Sequence, residues 1–446
     1  MKKILLFTLL VCALGTFTAC RSENPNLEQE HLQTTETVEE HTSEKETEES
    51  EIIQEKVSDE GKEVSESPQI LSFSQTYFTR QEWQDDIRVL YSEYANLAMW
   101  EGASQYSEMD RVLSETAGMQ TRTMDDEAEN ILSFVQEIMD VNLADFETQV
   151  STLDVQVRRA DSVVVSLLSD SYADYGFIEE FRGMWGSNYD AQTGEELLLS
   201  DVILDMEPIP GIVLEELNNH IWAGDFYSET VVEDYFINMP EDGISWTLDY
   251  NGITFYFGDG DLSEPGNGRA TATVSFAEHP ELFNEKYRNV PEAYMVRLPL
   301  EHSYFTDLNG DGTLEELNCT GYYNPADGFY NQFGIYTDLN GYYQYEELFA
   351  YDFQPYYVKT EDGNHYIYLF CAESEGGNRQ MTLVVYNVNG GAVSRVGDMN
   401  IAPAYIPSDT FVLPLDPNHM LLDNYDSMAQ DAEVYMVGRD GMPVKK

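Results

Sequence analysis

Positive charge is scarce in this chain: 23 Lys and Arg stand against 82 Asp and Glu, a formal charge of −59 over 446 residues. So strong a negative balance repels nucleic acid and anionic lipid, and it attracts cationic partners and divalent metal ions. After the first twenty residues no apolar run approaches the ~20 residues that a membrane-spanning helix needs. The seven histidines are scattered, and none falls in a His-Glu-x-x-His run. A Gly-x-Ser-x-Gly elbow and a phosphate-binding Gly-rich loop are also missing, so no local motif for metallohydrolase, serine-hydrolase or nucleotide chemistry is present. Carboxylate pairs are everywhere, and in so acidic a chain they carry no information.

The N-terminus is organised differently. Lys2 and Lys3 precede an apolar run from Ile4 to Leu14, and small or apolar residues lead to Cys20. This is the layout of a secretory signal with a small-residue cleavage site. Phe17-Thr18-Ala19-Cys20 resembles the lipobox of bacterial lipoproteins, with Phe where Leu is usual. The resemblance implies removal of residues 1–19, a diacylglyceryl thioether on Cys20, and anchorage at the extracytoplasmic face of the cell membrane. Loss of Lys2 and Lys3 leaves 21 basic against 82 acidic residues, a formal charge of −61. Residues 20–68 form the next expected region, the lipidated Cys followed by a stretch rich in Glu, Thr and Ser without an aromatic residue. Such a stretch cannot bury enough apolar surface to offset its ordering entropy, and it reads as a disordered acidic tether.

Aromatic residues and periodic patterns begin at Gln69. Thr79 and Glu82 suggest a capping box, and Trp83, Ile87, Leu90, Tyr94 and Leu97 repeat at helical spacing. Met124, Ala128, Ile131, Val135 and Ile138 predict a second helix, and Val213, Leu217 and Ile221 a third. Strand patterns run through Val163 to Leu168, through Ile253, Phe255 and Phe257, and from Ala270 to Phe276. In the last, Ala, Val and Phe alternate with Thr and Ser as in a half-buried strand. After about Ser303 turn dipeptides multiply: Asn309-Gly310, Asp311-Gly312, Asn340-Gly341, Asp362-Gly363, Asn389-Gly390 and Asp440-Gly441. Short strand-like runs such as Tyr366 to Cys371 and Met381 to Tyr386 lie between them. The expected fold class is therefore α+β: an α+β domain over residues 69–300, followed by an all-β domain over 301–446.

Within the first of these, Asn188-Tyr189-Asp190-Ala191-Gln192-Thr193-Gly194, Leu197 to Leu199 and Asp201-Val202 resemble a motif of the DUF3298 family. Trp246-Thr247-Leu248, Gly252 to Phe257, and Gly268 with Val274-Ser275-Phe276 resemble its strands. The similarity spans about Asp161 to Pro291, and Gln69 to Ala160 is then similar to the DUF4163 segment that precedes such domains. The family includes the extracellular half of lysozyme-sensing anti-sigma factors and a non-catalytic part of some peptidoglycan deacetylases. The resemblance implies a fold and a binding role outside the cytoplasm. A lipid-anchored chain has no cytoplasmic segment to hold a sigma factor, so that activity is not expected. Tyr175 to Glu180 stand where the family commonly has a Gly-Gly-Ala-His-like turn, and no His is present there.

The sharpest local motif is Asp307-Leu308-Asn309-Gly310-Asp311-Gly312-Thr313-Leu314-Glu315. Asp307, Asn309, Asp311 and Glu315 place oxygen side chains at the first, third, fifth and ninth positions. Thr313 can offer its carbonyl, and Gly310 permits the sharp turn that aims the others inward, as calcium's six to eight oxygen ligands require. The run resembles the short calcium loops of FG-GAP-like and dockerin-like modules. A plain Asn-Gly/Asp-Gly hairpin turn is the alternative; the spacing favours structural calcium. Cys319 and Cys371 lie at inward positions of expected strands, either as a disulfide or as two buried thiols.

With no catalytic constellation, the expectation is a non-enzymatic surface lipoprotein. It would bind an envelope or extracellular protein or glycan, and strongly basic lysozyme fits the charge and the family resemblance. An envelope glycan or peptidoglycan hydrolase, and a carbohydrate-binding protein using exposed aromatics, are the alternatives. Because Cys20 is the expected lipid acceptor, Cys20→Ala should move the protein out of the membrane fraction or leave an uncleaved precursor. Fractionation with mass measurement decides it, and a processed mutant that stays membrane-bound refutes the anchor.

Overall fold

The computed structural model describes residues 67–84, 86–139, 147–174, 181–219, 227–262, 268–324, 328–339, 342–372, 381–406, 410–423 and 432–446. The signal, Cys20, the tether up to Glu66, Ile221 and the 175–180 segment lie outside the described residues. Ser67–Lys446 forms one compact unit. It is mostly β with few helices, an α+β fold with a β-rich C-terminal region.

The chain enters through strands β1 (Phe73–Gln84) and β2 (Ile87–Met99), followed by helix α1 (Ser107–Met139). Strands β3 (Gln149–Ala160), β4 (Val164–Asp174) and β5 (Phe181–Asp190) complete the first run. Helices α2 (Leu199–Val202), α3 (Ile209–Asn219) and α4 (Glu229–Asn238) precede β6 (Trp246–Leu248), β7 (Gly252–Phe257) and β8 (Ala270–Ser275). A short helix α5 (Glu285–Arg288) leads to β9 (Tyr294–Arg297). The later strands are β10 (Ser303–Thr306), β11 (Glu315–Asn324), β12 (Phe329–Thr337), β13 (Tyr342–Glu346), β14 (Asp352–Lys359) and β15 (His365–Ala372). Then come β16 (Met381–Asn387), β17 (Ser394–Met399), β18 (Ala402–Pro403), β19 (Tyr405–Ile406) and β20 (Thr410–Val412). The last are β21 (Met420–Asp423), β22 (Glu433–Val437) and β23 (Pro443–Lys445).

The helix expected from Trp83 to Leu97 is instead the β1–β2 hairpin, paired from Phe73↔Met99 to Gln84↔Ile87 and turned at Asp86, whose φ is 65°. The run supports both periods: Ile87, Val89, Tyr91, Ala95, Leu97 and Met99 alternate as well as Leu90, Tyr94 and Leu97 recur helically. Pairing on both sides of β2 decides for the strand. The supposed cap residues are ordinary strand side chains, with Thr79 donating to Glu93 across the hairpin at 3.3 Å and Glu82 paired to Arg80. Trp83 is exposed. The second expected helix is present as α1, which begins earlier than its apolar pattern suggested and carries the chain from β2 to the parallel strand β3. Met109, Leu113, Met124, Ala128, Ile131 and Val135 are its buried side. The third is α3, with Val213 and Leu217 buried.

Five sheets result: β19-β20-β1-β2-β3-β4-β5, β6-β7-β8, β10-β11-β12-β13, β17-β16-β15-β14-β9 and β18-β21-β22-β23. Two of them cross residue 300. Strand β9 pairs with β14, and β20 pairs with β1. The β9–β14–β15–β16 sheet is a middle layer. One face packs with Leu317, Cys319, Phe333 and Ile335 of β11 and β12, and the other with Met420, Leu422 and Tyr435 of β21 and β22. Every residue of β15 is therefore buried. Cys319 and Cys371 are both buried thiols in the same core, and burial pushes the Cys319 thiol up.

The alternation in β8 does not mark a solvent face. Thr271, Thr273 and Ser275 are buried along with Ala272 and Val274. Thr273 bonds Thr254 at 2.8 Å, Thr254 donates to Asp249 at 2.8 Å, and Thr247 donates to the same carboxylate at 3.0 Å. Arg158 closes this polar seam with two bonds to Asp249, 3.2 and 2.9 Å long, both side chains being buried. Burial opposes the Arg158 charge, but Asp249 beside it holds the guanidinium well above its ordinary value. Asp249→Ala would strand that charge in the core and should cost about 3–5 kcal/mol in urea unfolding. A loss below about 1 kcal/mol would show that the fold does not depend on the pair.

Candidate metal centre

The motif from Asp307 to Glu315 is the connection of the β10–β11 hairpin. Thr306 pairs with Glu315, so closing the hairpin brings the first and last motif positions together. Gly310 and Gly312 have φ of 78° and 92°, a left-handed conformation that glycine adopts without steric cost. The backbone then folds over Asp307, whose Oδ1 accepts from the Gly310 N–H at 2.6 Å and whose Oδ2 accepts from the Gly312 N–H at 3.0 Å. Asp311 accepts from the Thr313 N–H at 2.9 Å, and Glu315 from the Leu308 N–H at 2.6 Å.

Each of Asp307, Asp311 and Glu315 places a carboxylate oxygen within 4.8 Å of the other two. Oxygens bound to one calcium at 2.3–2.6 Å lie no more than about 5.2 Å apart, so the spacing fits a shared ion. Asn309, the fourth expected ligand, points its amide nitrogen between Asp311 and Glu315, at 2.9 and 2.8 Å, while its Oδ1 accepts from the Asp311 N–H at 2.8 Å. The donor end of a neutral dipole thus bridges two carboxylates. An ion there would require the Asn309 side chain to turn its oxygen inward. Thr313 contributes its N–H to Asp311.

The electrostatics are those of crowded negative charge. Burial raises the Glu315 carboxyl, the Leu308 N–H opposes the rise, and Asp307, Asp311 and Asp338 add to it. Asp311, on the surface, is lowered by the Thr313 N–H and the Asn309 amide. The crowding extends beyond the motif. Glu216 on α3 is pushed up to about 7 by burial and by Glu278, Glu215 and Asp338. Glu278 is raised by burial, with Glu215 and Asp311 adding to it. This wider acidic region is not legible in the sequence, because its members come from α3, the segment after β8, the Asp307–Glu315 loop and the turn after β12. Asp338 and Leu339, just before the Asn340-Gly341 dipeptide, lie in a turn.

No family model and no curated protein matches the chain. Solved structures similar to it include two DUF3298-family proteins. One, from Bacteroides fragilis, is 11% identical with a TM-score of 0.35, covering 49% of this chain and 96% of that one. Another, from Pseudomonas aeruginosa, is 13% identical with a TM-score of 0.32, covering 50% and 97%.

Glu216 gives this region a pH signature. Its unfolded carboxyl titrates near 4.5 and its folded one near 7, so the folded state keeps a proton that the unfolded state gives up. The stabilising neutral form is complete below 4.5, and its contribution is lost as pH rises through 7. Glu216→Gln should flatten the fall in urea midpoint between about pH 5 and 8 and should leave the variant the more stable protein at the upper end. Parallel pH profiles would assign the dependence to other groups.

Proposed function

We propose that this chain is a non-enzymatic lipoprotein, held outside the cytoplasm through Cys20, whose folded unit binds an envelope or extracellular partner and is braced by calcium. The observation that carries the calcium reading is the convergence of Asp307, Asp311 and Glu315 on a hairpin whose Gly310 and Gly312 take the conformations such a loop needs. The ion's role is structural. It neutralises three converging carboxylates and fixes the point at which β11 enters its sheet. Among the described residues no helix is long and apolar enough to cross a membrane, so attachment would rest on the lipid and the tether. The negative charge suits a cationic partner, lysozyme among them, through faster encounter, although charge alone gives only salt-sensitive attachment.

An ion that binds only the folded form stabilises it by mass action, by about 2.7 kcal/mol at a hundred times its dissociation constant. Extracellular modules typically bind calcium at roughly 10⁻⁴ to 10⁻³ M, so millimolar calcium delivers part of that. The test is thermal unfolding of the full chain with millimolar calcium and with chelator, because strands on both sides of residue 300 share sheets. Wild type should melt higher with calcium, and Asp311→Ala should lose most of the difference. Equal melting would leave the loop as a hairpin turn.

A further inference from the structure

Six of the ten exposed aromatic side chains among the described residues fall between Tyr322 and Tyr351. Three of them share the outward face of the β11–β12–β13 sheet. The register sets its rows: Tyr322 beside Gln332, then Thr320, Gly334 and Tyr345, then Asn318, Tyr336 and Tyr343. The opposite face of these strands, with Leu317, Cys319, Phe333 and Ile335, is core. Tyr322, Tyr343 and Tyr345 are 62, 48 and 60% exposed.

Gly334 sits at the centre and makes the face flat. A Cβ there would lie 2.4 Å from the Tyr343 hydroxyl and 2.8 Å from its Cζ. The Tyr343 ring therefore lies across the glycine, and its hydroxyl reaches Thr320 at 3.3 Å. The Tyr345 ring stands 6.1 Å away, tilted by 37°. Strands are spaced about 4.8 Å apart and residues rise about 3.4 Å along them, so Tyr322 on β11 and Tyr345 on β13, one row apart, are about 12 Å from each other, a span that takes two to three sugar rings.

Charge selects the occupant. Asn318 and Tyr336 in the last row are buried, and none of the other six positions is charged at neutral pH, while residues 67–446 carry 66 acidic and 17 basic side chains, a formal −49. A second copy of this chain, an anionic polymer or an anionic membrane is repelled at long range, and the exposed tyrosine rows carry no charge to pair with a cationic peptide, Glu316 beyond them being buried. An uncharged polyhydroxylated chain meets neither obstacle. Its C–H faces stack on tyrosine rings, and its hydroxyls reach the phenols, Thr320 and Gln332. We infer that the Tyr322–Tyr343–Tyr345 face, floored by Gly334, is a binding site for a neutral hexopyranose polysaccharide.

The inference rests on the proposed surface location, but its test does not: calorimetry reads this face whether or not the lipid and the calcium loop are as proposed. The full chain is titrated with soluble cellohexaose and with chitohexaose. At least one should bind, and Tyr345→Ala and Gly334→Val, which lifts Tyr343 off the sheet, should each weaken it about tenfold or more. Tyr345→Phe, which keeps the ring, should stay within about threefold, and Trp83→Ala, at a separate exposed aromatic on β1, should change nothing. Failure of both sugars to bind overturns the inference, as does equal binding by wild type and the Tyr345→Ala and Gly334→Val variants. A dimer in sedimentation that Tyr345→Ala dissociates would assign the face to a second copy instead.

Discussion

Arg158 is the side chain on which the arrangement of sheets depends. It leaves β3 at a bulge, forks onto Asp249 between β6 and β7, donates to the Arg297 carbonyl on β9 at 3.4 Å, and lies 5.2 Å over the Tyr304 ring of β10. Four sheets therefore meet around one guanidinium. Its donors are fixed in a plane and cannot be left unpaired in the core, so their partners must arrive together. Arg159, the next residue, ties in Asp161 at 2.7 Å and the carbonyls of Tyr287 and Asn289 at 2.7 and 3.0 Å. A buried ion pair adds little net stability over a well-packed apolar core, but it is strict about position. Strictness is what joins the region before residue 300 to the region after it.

The Asp307–Glu315 loop, the candidate metal site, inherits this anchorage at one end only. At its base, Tyr304 lies against Arg158, Thr306 bonds the Tyr357 hydroxyl at 2.8 Å, and that hydroxyl bonds His365 at 2.7 Å. The far end of the hairpin holds three carboxylates and no cationic side chain within the motif. Order there must come from backbone N–H groups, from the Asn309 amide, or from an ion. Because Glu315 is both the last motif position and the first residue of β11, whatever fixes the loop also fixes the β11 register. That register sets which side chains stand beside Gly334. The loop and the tyrosine face are thus two consequences of one strand alignment.

What could be read from the sequence follows from the range of the interactions. The convergence of Asp307, Asp311 and Glu315 is legible because nine consecutive residues contain it, and α1 is legible because its buried side repeats every turn. The β1–β2 hairpin is ambiguous in sequence because Leu90, Tyr94 and Leu97 satisfy a helical period while the odd-numbered residues satisfy a strand period. Only the partners β1 and β3 choose between them. The threonines of β8 look solvent-facing because their partners, Thr254 and Asp249, are close in space but separated in sequence. The Arg158–Asp249 bond joins residues 91 apart. No local pattern announces it, and the same holds for the tyrosine rows, which require two strand registers at once.

The distribution of charge links the core to the surface. Cations are few, and several are withdrawn inward: Arg158 and Arg159 are buried, while Arg297 and Arg269 are mostly covered in pairs with Asp154 and Asp170. Each basic residue spent inside leaves acidic residues outside less compensated, so folding itself concentrates negative charge on the exterior. Long-range repulsion then keeps like-charged chains and anionic polymers away without any specific contact. Against that background an uncharged face is the exception, since every added carboxylate would repel copies of the chain but would also have to be desolvated by a neutral ligand. Selection for solubility favours charge at an exposed strand face, and its absence from the rows around Gly334 is therefore the physical reason to look for a ligand there.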